Sequence, residues 1–335
     1  MRTGIDILEN ELVERYPQVF DILLFDQTTK KNIFWATDNY EHLGESYFYH
    51  SPISPEIITG DFGSIIMPRV HKDKLLQIYR SKEMAEVFTP SWICNVQNNL
   101  IDNVWFGKEC VFNSEVIHGN GKKSWKVNTD KIRFPKGKNW NDYVKDKRLE
   151  LSCGEAPYIT SRYDTTTGEF IPVENRIGIL DRKLRVINEN VNTESEWLIA
   201  AQIAFKSTYA FEWQGDSLLI AREALLSTFI ENFKHQFDKE PNIRILQSIA
   251  NVISWNVWQM DGLKGVVPNS CNGSLHISED LFGNKLENIQ ECNGCKSGNI
   301  LTHNGIYCLI MDWDCSDKKS NPSNLKVKFI DLLNK

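Results

Sequence analysis

Apolar and polar positions divide the chain into four zones. Over residues 1–80 an acidic helix start gives way to the runs DILLFD (21–26), KNIFWAT (31–37) and SIIMPRV (64–70), a pattern that predicts a small α+β unit. Residues 81–107 predict a turn and then an amphipathic helix, with Thr89 as N-cap and Pro90 in the first turn. Residues 108–148 mix basic and aromatic positions without a clear period. From about residue 149 the pattern becomes strand, helix, strand, helix, which predicts a parallel sheet. One strand is expected to end at Leu151, and two more to span Thr208–Phe211 and Val252–Trp258. The helical spacing of Leu218, Leu219, Leu225 and Leu226 supplies a face to cover that sheet. The expected fold class is therefore α/β with a small N-terminal α+β extension. Residues 81–335 form the main domain, with insertions at 108–148 and 266–306.

Composition narrows the setting. A hydrophobic content of 41% over 335 residues is ample for a core and excludes disorder as the main state. No run of 18 apolar residues occurs, so no transmembrane helix is expected. The first 20 residues carry scattered acids and no apolar signal core. Eight cysteines are too sparse for a disulfide scaffold. The expected compartment is the reducing cytoplasm, with thiols free or bound to metal.

The net charge of −6 argues against binding nucleic acid by bulk charge. Its distribution reverses that inference. Residues 108–148 carry +6, leaving −12 on the rest. Lys122, Lys123, Lys126, Lys136 and Lys138 are interleaved with Trp125 and Trp140. Cations neutralise phosphates and aromatic faces stack on bases, so this mixture suits DNA. The alternative is a solvated loop anchored by its aromatics.

Three segments carry candidate binding chemistry. Ser152, Cys153 and Gly154 follow the first strand of the parallel sheet, where small residues admit a ligand close to the backbone. The helix expected after them would aim its N-terminal amides at that ligand; a plain turn is the alternative. Glu212 ends the second strand and could accept ribose hydroxyls, with Asp216 as a competitor at the next helix's N-cap. Asp261 and Gly262 follow the third. A fourth group is cysteine-rich: Cys271, the C-x-x-C pair Cys292 and Cys295, and Cys308, with His303 among them. Soft ligands at such spacing suit structural zinc, although Cys308 could be a buried strand residue and His303 an exposed loop residue.

The order of these segments resembles the gamma-type N6-adenine DNA methyltransferases, and more closely the restriction–modification M subunits of phage and mobile elements. The matching segments are Glu86–Pro90, Ser152–Tyr158, Ala210–Glu212 with Ala221–Leu225, and Asn256–Leu263. The resemblance covers residues 81 to about 265. It implies a Rossmann-like fold that uses S-adenosylmethionine. Phe88, Thr89 and Pro90 would line the methionine end, and Ser152, Cys153 and Gly154 the loop beneath it. Glu212 would hold the ribose, and Asp261 and Gly262 the adenine. Double-stranded DNA is the implied partner, with a partner subunit or a restriction endonuclease alongside.

The family's catalytic polar-Pro-Pro-aromatic tetrapeptide is missing. The best placed substitute is Asp312 with Trp313, and Asn321–Ser323 is a second. In these roles Asp312 would accept from the target amino group and Trp313 would stack on the flipped base. The alternative is a subunit that binds cofactor and DNA and needs a partner for activity.

Overall fold

The structure, a computed structural model, describes residues 9–83, 89–271, 274–279, 285–313 and 325–333. The N-terminal region holds α1 (Glu9–Arg15), α2 (Pro17–Leu24), α3 (Pro55–Ile58) and α4 (Lys74–Glu83). Among its described residues the only β pairings are isolated bridges such as Phe25 with Asn32 and Phe34 with Pro52. The runs DILLFD and KNIFWAT, expected within a small α+β unit, form no strand beyond these bridges. Instead Val19, Phe20, Leu23 and Leu24 make one buried face of α2, and Ile33 and Trp35 are buried from a loop. These side chains belong to the same core as Leu218, Leu219 and Phe229. The described part of this region therefore shares the main core.

Next come α5 (Ser91–Phe106), the hairpin strands β1 (Asn113–Ile117) and β2 (Lys123–Val127), and α6 (Trp140–Lys145). Pro90, not Thr89, is the N-cap residue of α5, and its side chain can make no capping bond. Asp164 supplies the cap from elsewhere, accepting the Ser91 N–H at 2.7 Å.

The centre is a parallel sheet of β3 (Arg148–Glu150), β4 (Thr208–Glu212) and β5 (Val257–Gln259), in that order. Helices α7 (Ile179–Asn190) and α8 (Glu194–Lys206) connect β3 to β4, and α9 (Gly215–Phe237) and α10 (Ile243–Asn256) connect β4 to β5. The register pairs Glu150 with Ala210, and Ala210 with Val257. Two expectations fail here. Residues 252–256 are the last turn of α10, because Leu246, Ile249, Ala250 and Ile253 are buried at helical spacing. No helix follows the Ser152 loop either, and α7 begins only at Ile179. Ser152, Gly154 and Ala156 all take positive φ, and Pro157 follows them, so the chain cannot wind into a helix there.

The chain continues with the hairpin strands β6 (Ser274–Glu279) and β7 (Lys285–Gln290), then α11 (Asn293–Ser297) and the antiparallel pair β8 (Leu309–Met311) and β9 (Lys326–Lys328), and α12 (Phe329–Leu332). A second apolar cluster of Phe211, Trp258, Met260, Val267, Cys308, Ile310 and Phe329 joins this part to the sheet.

Candidate functional site

A cavity of about 1000 Å³ opens where β3 and β4 end. Its walls include Thr89, Glu150, Ser152, Cys153, Gly154, Tyr158, Glu212, Trp213 and Asn269. Crevices beyond the carboxyl ends of parallel strands are the usual ligand sites of such sheets.

Three acids are buried in this wall, and one of them, Glu155, has both oxygens taken, by the Arg69 N–H and the Tyr163 hydroxyl, each at 2.6 Å. Glu212 accepts the Gly154 N–H at 2.7 Å through one oxygen, and the Trp213 and Gln214 N–H groups at 2.8 and 3.2 Å through the other. Burial raises its pKa, and those three amides pull it back down. Glu150 is a site residue that the sequence motifs do not include. One of its oxygens receives a long bond from the Tyr158 N–H at 3.4 Å, and the other has no partner among the described residues. Burial pushes its carboxyl up to about 8. Its signal in the sequence is a lone acid between Leu149 and Leu151, just before a loop of small residues. The partnerless oxygen is itself buried, so a cationic or N–H-bearing ligand could satisfy it once the side chain turns toward the cavity.

The cavity gathers five of the nine residues expected to hold the cofactor: Thr89, Ser152, Cys153, Gly154 and Glu212. Phe88 lies outside the described residues. Pro90 is absent from the cavity wall and is the N-cap residue of α5. Asp261 is also elsewhere: its carboxylate accepts the Leu263 and Lys264 N–H groups at 3.0 and 3.2 Å and pairs with the Lys264 ammonium at 3.4 Å. It closes a turn rather than facing the cavity. Gly262 is required by packing, since a Cβ there would meet the Phe211 ring at 2.5 Å.

Asp312 and Trp313 sit at the wrong end of the sheet for the catalytic role expected of them. The Trp313 indole N–H donates to Asn256 Oδ1 at 2.8 Å, and Lys206 lies over the ring at 5.0 Å. Asn256 immediately precedes β5, and Lys206 is the last residue of the helix leading into β4. Both mark the amino ends of the parallel strands, whereas the cavity lies at the carboxyl ends. The Asp312 N–H is bonded to Leu325 O at 2.7 Å. Asn321–Ser323 lie outside the described residues.

The basic stretch divides by residue type. Lys122, Lys123, Lys126, Lys136 and Lys138 are exposed. Lys123 lies over the Trp92 ring at 4.5 Å and Lys138 over Trp105 at 4.3 Å, so their charges are anchored near the surface. The tryptophans have contacts within the protein. Trp125 donates its indole N–H to Asn175 O at 2.9 Å, and Trp140 packs against the core.

Of the four expected metal ligands, Cys271, Cys292 and Cys295 come together around His303. Cys308 does not join them, being buried under β5 with its thiol 3.4 Å from Gln259 O.

No helix among the described residues is long and apolar enough to cross a membrane. No protein-family profile, curated protein or solved structure matches the chain.

Proposed function

We propose that the chain is the cofactor- and DNA-binding subunit of a cytoplasmic, S-adenosylmethionine-dependent DNA methyltransferase of restriction–modification type, specific for the N6 amino group of adenine. The observation that carries this reading is the pair of buried carboxyl groups, Glu150 and Glu212, on either side of the Ser152–Gly154 loop. A cofactor with a ribose diol at one end and an ammonium at the other needs two such acceptors in one cavity. Glu212 has three of its roughly four acceptor positions filled by backbone amides, which leaves about one for a ribose hydroxyl. Glu150 would take the ammonium and become ionised in doing so. Gly154, in the loop between them, has open space where a Cβ would stand.

The cofactor supplies an electrophilic methyl group, and the protein's part is to hold it in line with the target nitrogen. The exposed lysines at 122–126 and 136–138 would neutralise phosphates and orient the duplex. The position of Trp313 beside Asn256 favours a subunit whose catalytic segment comes from a partner, over a chain that methylates through Asp312 and Trp313.

Incubating the purified chain with DNA and methyl-labelled cofactor tests this. Cofactor binding without label in DNA is expected, with label appearing once the partner subunit is added. Label in DNA from the chain alone would contradict the need for a partner.

A further inference from the structure

We infer that Cys271, Cys292, Cys295 and His303 bind one Zn²⁺ in a closed tetrahedral site, and that this ion holds one wall of the cavity in place. The three thiol sulfurs lie 3.6, 3.6 and 3.7 Å from the same atom, His303 Nδ1. A tetrahedral zinc with Zn–S near 2.3 Å and Zn–N near 2.0–2.1 Å requires S···N separations of about 3.5 Å. All four ligand atoms lie within 4.8 Å of one another. Three sulfurs converging on one imidazole nitrogen is the donor set of a Cys₃His site. All four positions are filled by protein, so the site is structural rather than catalytic.

The surroundings fit a metal centre. The Asn304 N–H donates to Cys292 Sγ at 3.3 Å, a bond that stabilises a thiolate. The His303 N–H donates to the Tyr307 hydroxyl at 2.9 Å, and that hydroxyl donates to Ile300 O at 2.9 Å, which fixes the backbone that carries the imidazole. Two glycines make the approach feasible. A Cβ on Gly294 would meet His303 Nδ1 at 2.5 Å, and one on Gly305 would meet Cys271 Sγ at 3.0 Å.

The ligands bracket the β6–β7 hairpin, with Cys271 before it and Cys292 after it. An isolated two-stranded hairpin is marginal in water, and an ion at its base closes it. The same ion reaches the cavity. Cys271 lies two residues beyond Asn269, which lines the cavity and takes a φ of 52°. The Ile306 N–H donates to Ser270 Oγ at 3.0 Å, tying this wall to the segment that carries His303. Anchoring Cys271 to the metal therefore fixes Asn269 where a ligand would meet it.

The metal part of this inference stands without the cofactor reading; the cavity-wall part rests on it. The test is the metal content of the full chain purified from zinc-supplemented medium, measured by mass spectrometry, together with cobalt substitution. One zinc per chain is expected, and cobalt should give the strong visible absorption of a tetrahedral thiolate site. His303→Ala should lose the ion and lower the melting temperature. His303→Cys should keep it, which separates loss of a ligand from loss of fold, and Cys308→Ala should keep a full equivalent. Less than about a tenth of an equivalent in folded wild type, or no loss in His303→Ala, would overturn the site. Cofactor affinity at least tenfold weaker in zinc-free folded chain supports the cavity-wall role; unchanged affinity would remove that role and leave the metal site standing.

Discussion

Glu212 Oε2 accepts the N–H of Gly154 at 2.7 Å, so the acid at the end of β4 holds the loop that follows β3. One carboxylate thereby sets the floor of the cavity and offers itself to whatever enters. Replacing Glu212 with Ala should remove both functions. Cofactor affinity measured by calorimetry is expected to fall by at least tenfold to a hundredfold, in line with the loss of a charge-assisted bond of about 1.5–3 kcal/mol. Unchanged affinity would show that the ligand does not touch this acid.

Glu150 gives a pH signature. Burial raises its folded pKa to about 8 from an ordinary 4.5. The folded ligand-free protein therefore holds a proton that the unfolded chain releases. Stability from this group is greatest below the unfolded value and declines as pH rises towards the folded one. Glu150→Gln should make the ligand-free protein more stable above pH 8, by an amount on the order of 1–3 kcal/mol. Denaturant melts at two pH values check this.

The same group predicts how binding responds to pH. A cationic ligand favours the carboxylate, so binding below about pH 8 must release a proton. Affinity should rise with pH by up to about tenfold per unit in that range and then level off. In Glu150→Gln the affinity should be weak and this slope absent. A flat profile in the wild type would place the ligand's cation elsewhere.

The two glycines of the sheet's carboxyl edge should differ in sensitivity. Gly154 has a φ of 53° and open space where a Cβ would stand, so Gly154→Ala should cost about 1–2 kcal/mol from backbone conformation alone. Gly262→Ala would push a methyl into the Phe211 ring, and overpacking of about 1–3 kcal/mol is expected. Thermal melts of the two variants, with cofactor affinity measured alongside, compare them.

The exposed lysines predict a salt effect. Lys122, Lys123 and Lys126 flank or lie on one hairpin strand and face solvent. Changing all three to Ala should weaken binding to duplex DNA of any sequence. The log–log salt slope should become shallower by about 0.9 for each phosphate that is no longer neutralised. Trp125→Phe should instead lower stability, because the indole bond to Asn175 O disappears, and should leave that slope unchanged.

Much of the cavity is legible in the chain. Small residues after a strand and an acid ending the next are local features, and both Ser152–Gly154 and Glu212 line the cavity. What the sequence hides is set by residues far apart in the chain. The run at 252–256 is rich in β-branched and aromatic residues, yet helical burial of Leu246, Ile249 and Ile253 carries α10 through it. Trp313 follows an apolar strand as a catalytic aromatic would, but its partner is Asn256, 57 residues away. His303 and Cys308 are five residues apart, and only the three-dimensional path shows which of them meets the other thiols. Glu150 is visible as a lone acid, but its unpartnered oxygen emerges only once the strand is placed in the sheet.

The measurement that bears most directly on the proposed function is calorimetric titration of the full wild-type chain with S-adenosylmethionine, beside Glu212→Ala and Glu150→Gln. One site per chain is predicted in the wild type, with heavily weakened binding in both variants. Folded wild-type protein that takes up no cofactor would contradict it.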